Sequence, residues 1–381
     1  MIDPRDKELA QILVSYATKA HEGDLVFVEC IGADTLGLGQ AVVEAAVAAG
    51  AAPHLQYAES ALTRRIINNA SDAVFERMAQ FQLKQMQDAT VYIGIRGTGN
   101  AFEMNGVNPE RLKVYSRIVA TPVHMNERVK NTRWCILRYP NPAMAQMAGK
   151  STEDFAKFYY DVCCLDYPFM DKACVPLKEI MTRTNTVRIK GPGKTDVSFS
   201  ISGIPAIPCT GNMNIPDGEC FTAPVRDSIN GCVQFNTPTM HEGQAFSNIT
   251  LQFKDGKVVQ AQDEDASKTA ALNKVLDVDP GARFVGEFSL AFNPFIFDPI
   301  GDILFDEKIC GSFHMALGKC YDEAPNGNKS TIHWDLVCVQ RPEFGGGEIW
   351  FDDKLIRKDG IFIIDELKGL NPDNYKRNNA E

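Results

Sequence analysis

The sequence lacks the features that mark several large classes of protein. No apolar run approaches the ~18 residues that a membrane-spanning helix needs, and the opening Met-Ile-Asp-Pro-Arg-Asp-Lys-Glu is too charged for a signal peptide. Lysine and arginine are not clustered and the net charge is -10, which argues against binding to a nucleic-acid backbone. We therefore expect a soluble, cytoplasmic protein that binds neither membranes nor nucleic acids.

Several common catalytic and structural motifs are also absent. There is no Gly-x-Ser-x-Gly elbow of a serine hydrolase. Gly193-Lys194-Thr195 resembles the end of a phosphate-binding loop, but Arg188 stands where that loop requires a glycine, so a hairpin turn is the better interpretation. The eleven cysteines are scattered without a regular spacing, which indicates reduced, buried side chains in a reducing compartment.

What is present is the composition of an ordinary globular chain. Its 381 residues, 44% hydrophobic and 23% charged, are enough for about two domains. In the first part, short apolar runs such as Leu25–Val28 and Thr90–Ile95 alternate with helical patterns such as 36–49 and 72–86. This alternation predicts an α/β domain with a mostly parallel sheet over residues 1–178.

The pattern changes after residue 178 to short strands with few helices. Val187–Ile189 and Val197–Ile201 alternate around a Gly-Pro-Gly turn, and Asp255-Gly256 separates two further alternating runs, which is a strong hairpin signal. More strands are predicted over 284–292, 330–338 and 347–364. Residues 179–381 are therefore predicted to form an α+β, β-rich domain.

One of these strands carries an unusual pair of polar residues. In the stretch 331–338, alternation places His333 and Asp335 on one face and Ile332, Trp334 and Leu336 on the other. Burial of a carboxylate costs several kcal/mol unless a partner compensates it, and a metal ion is one such partner.

Three other residues of this half are candidates for the same site. His314 is one of only six histidines, Glu219 follows Asp217-Gly218, and Glu287 lies within a predicted strand. Two histidines and three carboxylates exceed the needs of one tetrahedral zinc ion and suit two divalent cations ~3.5–4 Å apart. For each glutamate alone, an ordinary ion pair remains the alternative, because spacing does not join residues so distant in sequence.

The motifs around these residues provide that link, because they resemble the aminopeptidase T family of thermophilic metallo-aminopeptidases. The similarity begins in the opening segment, residues 5–49, and runs the length of the chain. Its motifs are Asn214-Ile-Pro-Asp-Gly-Glu219-Cys-Phe-Thr-Ala-Pro224, Gly286-Glu287, Asp306-Glu307-Lys308, His314-Met-Ala-Leu-Gly-Lys-Cys-Tyr321 and Asn328-Lys-Ser-Thr-Ile-His333-Trp-Asp335.

The resemblance implies a metal-dependent hydrolase that removes N-terminal residues from peptides and forms homodimers. It implies two divalent ions, with cobalt, zinc or manganese accepted, in a catalytic domain that is the second half of the chain. Tyr321 would be a catalytic hydroxyl beside the metals, and Glu307 would be a further ligand. The metal ligands implied by the resemblance are Glu219, Glu287, His314, His333 and Asp335.

These assignments give a consistent chemistry, with two alternatives. Glu287 is expected to transfer the proton of the attacking water, and Tyr321 to donate a hydrogen bond to the oxyanion. The same scaffold also resembles a ring-cleaving dihydroxypyridine dioxygenase with one Fe(II), for which His314, His333 and Asp335 would suffice. That alternative leaves both glutamates without a role. A metal-stabilised binding protein without turnover would need the ligands but not Tyr321.

Overall fold

The computed structural model describes residues 3–241 and 243–376, which form two compact units. The first unit ends at Leu165 and also includes Gly211–Ile215, and the other residues belong to the second unit. The predicted boundary at residue 178 falls inside the helix Tyr167–Arg183, which belongs to the second unit. The sequence did not indicate this, because a helical pattern alone does not show which domain a helix packs against. Among the described residues, no helix is both long and apolar enough to cross a membrane.

The first unit is built on a five-stranded parallel sheet with the strand order β2-β1-β3-β4-β8. The strands are β1 Leu25–Ile31, β2 Ala52–Ala58, β3 Val91–Arg96, β4 Arg133–Arg138 and β8 Asn214–Ile215. Strand β3 is buried along nearly its whole length, as expected of a parallel strand covered on both faces. The predicted α/β domain with a mostly parallel sheet is thus confirmed.

Helices of the first unit precede the first strand and occur between the later ones. They are α1 Pro4–Gln11, α2 Leu36–Ala48, α3 Ser60–Asn69, α4 Asp72–Asp88, α5 Pro109–Tyr115, α6 Val129–Asn131, α7 Pro142–Met147 and α8 Thr152–Cys163. Two π-helical segments, Ile12–Ala17 and Ser116–Arg128, continue α1 and α5.

The second unit is β-rich, as predicted. Its helices are α9 Tyr167–Arg183, α10 Thr269–Leu276 and α11 Ile303–Asp306. An eight-stranded antiparallel sheet has the order β14-β13-β10-β6-β5-β18-β19-β20. Its strands are β5 Thr186–Lys190, β6 Asp196–Ser200, β10 Asn230–Phe235, β13 Ile249–Lys254, β14 Lys257–Gln262, β18 Glu348–Phe351, β19 Lys354–Lys358 and β20 Ile361–Phe362.

A second antiparallel sheet of this unit has the order β17-β16-β15-β9-β7. Its strands are β7 Ile207–Cys209, β9 Glu219–Thr222, β15 Val285–Ala291, β16 Ser312–Gly318 and β17 His333–Val339. A short hairpin is formed by β11 Thr239–His241 and β12 Gln244–Phe246. The predicted turn at Asp255-Gly256 joins β13 to β14, and both residues have the positive φ angles, 48° and 78°, that a tight hairpin turn favours.

The two large sheets pack face to face. Phe199 of β6 contacts Phe288 of β15 with ring centroids 4.9 Å apart, and Phe235 of β10 contacts Phe313 of β16 at 6.4 Å. These rings fill the space between the sheets and leave the other face of β15 and β16 for polar side chains, since successive residues of a strand point to opposite faces.

Candidate metal centre

The candidate ligands lie on four neighbouring strands of the five-stranded sheet. Strand pairing aligns Ser289 of β15 with His314 of β16 and Gly318 of β16 with His333 of β17. Directly paired residues share a face of an antiparallel sheet, as do residues two apart along a strand. The pairing therefore places five side chains on one face: Glu219 of β9, Glu287 of β15, His314 of β16, and His333 and Asp335 of β17.

The alternation explains why such polar residues occur in apolar strands. Phe288 and Phe313 project from the opposite face into the space between the sheets, while Glu287 and His314 project away from it. On β17, Trp334 is buried and its ring lies 5.4 Å from Phe246. The aromatic residues fix the strands in the core, so that the acidic and imidazole groups between them are held in place.

Two clusters of possible ligands share the carboxylate of Glu287. The inner cluster is Glu219, Glu287 and His314, and the outer cluster is Glu287, His333 and Asp335; the ligand atoms of each lie within 4.8 Å of one another. Oε1 of Glu287 lies 3.4 Å from Nε2 of His314, and Oε2 lies 3.2 Å from Nε2 of His333. Each oxygen of this carboxylate therefore faces a different cluster.

The remaining distances complete the two clusters. Nε2 of His314 lies 3.4 Å from Oε2 of Glu219, and Nε2 of His333 lies 3.5 Å from Oδ1 of Asp335. The inner cluster is deeply buried, whereas the His333 side chain is 21% exposed and lies closer to solvent. An ion in the outer cluster would be the more accessible of two.

Both histidines present Nε2 to the carboxylates because Nδ1 is already used. Nδ1 of His314 donates to the backbone carbonyl of Glu307 at 3.1 Å, and Nδ1 of His333 donates to that of Lys319 at 2.7 Å. A carbonyl oxygen can only accept, so each ring carries its proton on Nδ1 and is left with Nε2 for another interaction. This orientation is the one in which metal-binding histidines are commonly held.

The donor set fits divalent cations. Nε2 of His333 is buried and, among the described residues, makes no hydrogen bond, although two carboxylate oxygens lie within ion-pair distance. A neutral imidazole with its lone pair facing carboxylates is unfavourable unless a cation lies between them. Imidazole nitrogen and carboxylate oxygen are ligands of zinc, cobalt and manganese, so the side chains present suit such an ion.

The surplus of carboxylates shifts the pKa values of the site. Burial opposes ionisation of Glu219 and Glu287, but Lys308 and His314 outweigh it for Glu219, and the two histidines for Glu287, so that both pKa values are lowered. Burial would lower the histidine pKa values, yet the carboxylates raise that of His314 to about 10 and that of His333 to about 11. The metal-free site therefore holds protons where cations would bind.

Glu307 does not join either cluster. Its carboxylate forms a close ion pair with Lys308, whose Nζ also lies 2.9 Å from Oε1 of Glu219. Burial raises the pKa of Glu307 to about 8 despite the charge of Lys308. The contribution of Glu307 to the site is its backbone carbonyl, which accepts from His314. Its role as a direct ligand stays a prediction.

Tyr321 lies at the outer edge of the site. Its ring is 4.6 Å from that of His333 and 5.5 Å from that of Phe221, and the residue is 44% exposed. Partial burial and the nearby carboxylates of Glu287 and Asp335 raise the pKa of its hydroxyl. The phenol is therefore a protonated donor near neutral pH, next to the outer cluster.

The structure brings together the side chains of Glu219, Glu287, His314, His333 and Asp335, and it adds two residues that sequence reasoning missed. Ser289 donates to Oε2 of Glu219 at 2.9 Å, and Lys308 binds the other oxygen of the same carboxylate. For Ser289 a signal was available, because it is two positions from Glu287 on the same strand. For Lys308, its place after two acidic residues in one of the motifs did not indicate burial.

Comparison with known proteins identifies the family of the chain. Aminopeptidase 2 of Geobacillus stearothermophilus is 38% identical over 117 residues, which cover 29% of this chain and 27% of that protein, so the chain aligns with less than a third of that relative's length. Wild-type AmpT from Thermus thermophilus superposes with a TM-score of 0.78 at 20% identity, covering 94% of this chain and 99% of that one.

A second solved structure has a related fold. 2,5-Dihydroxypyridine dioxygenase from Pseudomonas putida KT2440 gives a TM-score of 0.61 at 13% identity, covering 95% of this chain and 98% of that one. At these identities both likenesses show the fold alone. The sequence model of the thermophilic metalloprotease (M29) family matches residues 3–348. The chain therefore belongs to the thermophilic metalloprotease family, as its motifs predicted.

Proposed function

We propose that the protein is an aminopeptidase that hydrolyses N-terminal residues from peptides with two divalent cations, one in each cluster. The observation that carries this proposal is the position of Glu287, whose two oxygens face His314 and His333 separately. A carboxylate so placed is suited to bridge two ions, and bridged pairs of ions are common in aminopeptidases. Family membership and the names of the relatives support the same activity.

The charges around the site favour bound cations. Glu307, whose pKa is raised to about 8, is largely protonated near neutral pH, so it adds little negative charge. Four other carboxylates surround the site, and the ammonium group of Lys308 is paired with two of them. Three negative charges are therefore left when both histidines are neutral, and leaving them uncompensated in a buried site is costly. The four carboxylates are Asp217, Glu219, Glu287 and Asp335.

The residues of the chain define what the site does to a peptide. When bound, the cations would polarise the scissile carbonyl and lower the pKa of a water molecule toward 7. Tyr321, with its hydroxyl protonated, donates a hydrogen bond to the oxygen that becomes negative as the carbonyl is attacked. The carboxylate-rich face favours a positively charged or metal-seeking group, which suits the free α-amino group of an N-terminal residue.

The bridging position of Glu287 competes with the proton transfer expected from the sequence. Both oxygens of this carboxylate face histidines, so neither remains free for a water molecule once two ions are bound. We therefore propose the bridging role first. In Glu287→Gln we expect less than a tenth of the wild-type kcat together with loss of at least one ion per chain, because the amide cannot bridge two cations.

Metal analysis of that variant separates the two roles of Glu287. A variant that keeps both ions but has lost its turnover would assign Glu287 to proton transfer alone. Gln244→Glu, an exposed position on β12, provides a control with the opposite change of charge. It should keep both the metal content and the activity of the wild type.

The dioxygenase alternative is weaker on the same geometry. It uses His314, His333 and Asp335. Oδ1 of Asp335 lies 4.0 Å from Nε2 of His314 and 3.5 Å from Nε2 of His333, but among the described residues these three do not form a group whose ligand atoms all lie within 4.8 Å of one another. It also leaves Glu219 and Glu287 without a role. Metal analysis with a leucyl anilide assay tests both functions. One iron per chain and oxygen uptake with an aromatic diol would overturn the aminopeptidase proposal.

The cellular setting follows from the family resemblance. We propose a cytoplasmic homodimer that uses zinc, cobalt or manganese. Size-exclusion chromatography with light scattering measures the mass, and metal replacement in the apoprotein identifies which ion supports the highest kcat.

A further inference from the structure

Lys308 is a buried cation that touches the site but lies outside both metal clusters. Its side chain is 1% exposed, and Nζ lies 2.9 Å from Oε1 of Glu219 and 3.9 Å from Oδ1 of Asp217, in addition to its close contact with Glu307. Burial would lower the pKa of this lysine, but the three carboxylates raise it well above its ordinary value. The surrounding carboxylates thus favour the charged ammonium form of this side chain.

This ammonium group lies at a third set of possible metal ligands. Cys209, Asp217 and Glu219 have ligand atoms within 4.8 Å of one another, and two of the three are the carboxylates next to Nζ. A thiolate with two carboxylates suits zinc or cadmium. In this protein a lysine already supplies the positive charge there.

We infer that Lys308 acts as a fixed third cation of the site, which excludes a divalent ion from the Cys209–Asp217–Glu219 cluster and reserves one oxygen of Glu219. The expected effect of Lys308 on kcat rests on the proposed function. The expected exclusion of an ion does not, because it concerns only the additional ions bound when Lys308 is removed, whatever number the wild type holds.

The contacts of Glu219 give Lys308 its effect on the inner cluster. Oε1 accepts from Lys308, while Oε2 accepts from Ser289 and faces His314. Glu219 therefore presents a single oxygen to the inner cluster. Without the ammonium group, both oxygens are free to bind one ion, which changes its coordination and removes the defined position of the ligand.

The backbone holds Lys308 in this position. Its N–H donates to the carbonyl of Phe305 at 2.9 Å, and its carbonyl accepts from the N–H of Asn293 at 3.2 Å. The preceding residue, Glu307, supports His314 through its own carbonyl. The pair Glu307-Lys308 thus orients Glu219 and His314, the two ligands that belong to the inner cluster alone. Lys308 is therefore a positioning residue.

Removal of the side chain tests the exclusion of a third ion. Apoprotein is loaded with cadmium and dialysed, and its metal content is measured for the wild type and for Lys308→Ala. We expect one more ion per chain in Lys308→Ala, with a new ultraviolet cadmium–thiolate band that disappears in the double variant Lys308→Ala/Cys209→Ser. Lys254→Ala, an exposed lysine on β13, should match the wild type. An unchanged metal content in a folded Lys308→Ala overturns the exclusion.

An isosteric variant tests the positioning role and guards against misfolding. Lys308→Met fills the same volume without the charge, and we expect a kcat that is about 10- to 100-fold lower with an unchanged KM, as for other residues that orient metal ligands. A kcat within twofold of the wild type overturns this role. If the wild type itself binds one ion, the two-ion function fails, whereas an extra ion in Lys308→Ala still supports the inference.

Discussion

Tyr321 distinguishes a hydrolytic site from one that only holds metal ions, because its protonated hydroxyl is suited to donate a hydrogen bond to an oxyanion, which metal binding alone does not need. Removal of one oxyanion donor lowers kcat about 10²- to 10³-fold in other hydrolases. We expect a loss of this size in Tyr321→Phe, with the KM for a leucyl anilide and the metal content unchanged. Tyr57→Phe is a matched control in the first unit, since the two tyrosines are 43% and 44% exposed.

The activity and metal content of Tyr321→Phe show whether the hydroxyl acts in catalysis or supports the metal centre. If the variant keeps activity within twofold of the wild type, the hydroxyl does not stabilise the transition state. If the variant loses metal instead, Tyr321 supports the outer cluster through its contact with His333.

The two histidines predict a release of protons when metal binds. The pKa values of His314 and His333, about 10 and about 11, are above neutral pH, so both rings are protonated in the apoprotein at pH 7.5. Metal binding through Nε2 requires the neutral ring, and the apparent affinity should therefore rise with pH. We expect about two protons released per chain.

Calorimetry measures that release. Titration of the apoprotein with zinc in two buffers of different ionisation enthalpy gives the number of protons. His314→Gln should release about one proton fewer than the wild type. A heat of binding that does not depend on the buffer would contradict the protonation of the two rings.

The sequence predicted the metal ligands better than the residues that hold those ligands in position. His333 and Asp335 were recognisable because an acid and an imidazole alternate with Ile332, Trp334 and Leu336, and the family motifs joined them to distant residues. Lys308 was not recognisable as a buried cation, because a lysine after two acids also suits an exposed loop. Its burial depends on α11 and on Asn293, which only the tertiary fold brings together.

Among the structural elements, the connection before β17 is anchored by one carboxylate. Asp279 accepts from the N–H and the hydroxyl of Thr331, both at 2.7 Å, and from Ser330 and Gly281 at 2.9 Å. Burial opposes ionisation, but these donors lower the pKa of Asp279 to about 2. Since Thr331 precedes His333 by two residues, this carboxylate also holds the start of the strand that carries the outer cluster.

Asp279→Ala should therefore lower stability in a pH-dependent manner. We expect a loss of about 1–3 kcal/mol in the free energy of unfolding at pH 7. The folded pKa lies below the ordinary value of 3.8, so this contribution is present above pH 3.8 and is lost as the pH falls from 3.8 toward 2. Urea unfolding at pH 7 and at pH 3 measures the difference between the wild type and the variant.

A matched control identifies the source of the effect. Asp322 is an exposed aspartate in the connection between β16 and β17, and Asp322→Ala should leave the free energy of unfolding unchanged. A destabilisation by Asp279→Ala that is the same at both pH values would show that its carboxylate charge is not the cause.

The elements that the sequence predicted are those with a regular pattern of apolar residues. The strands β1, β3, β6 and β15 carry continuous or alternating apolar residues and were found near their true bounds. The segment Ser116–Arg128 was not found, because it is π-helical and contains Pro122, so its buried residues do not follow the 3.6-residue period used to recognise an α-helix. Helix α9 has the 3.6-residue period of an α-helix, but its own sequence does not indicate which unit it packs against.

The whole chain contains three tryptophans, and they are divided between the two units. Trp134 lies in the first unit, whereas Trp334 and Trp350 lie in the second, which also contains every proposed metal ligand. Trp134→Phe thus leaves a fluorescence signal from the second unit alone, and Trp334→Phe/Trp350→Phe leaves one from the first. This division allows the effect of the metal on each unit to be measured separately.

Removal of the metal should destabilise the second unit selectively. An ion present at a thousand times its dissociation constant stabilises the folded state by about 4 kcal/mol, which corresponds to about 10 °C in Tm for a unit of this size. With a chelator, we expect the Tm of the second unit, measured in Trp134→Phe, to fall by about 10 °C. The Tm of the first unit, measured in Trp334→Phe/Trp350→Phe, should fall by less than a third of that. The physical reason is that the apoprotein must bury uncompensated negative charges or take up protons in place of the ions. Equal shifts of both signals would contradict the assignment of the metal to the second unit alone, and no shift in either would contradict a metal centre.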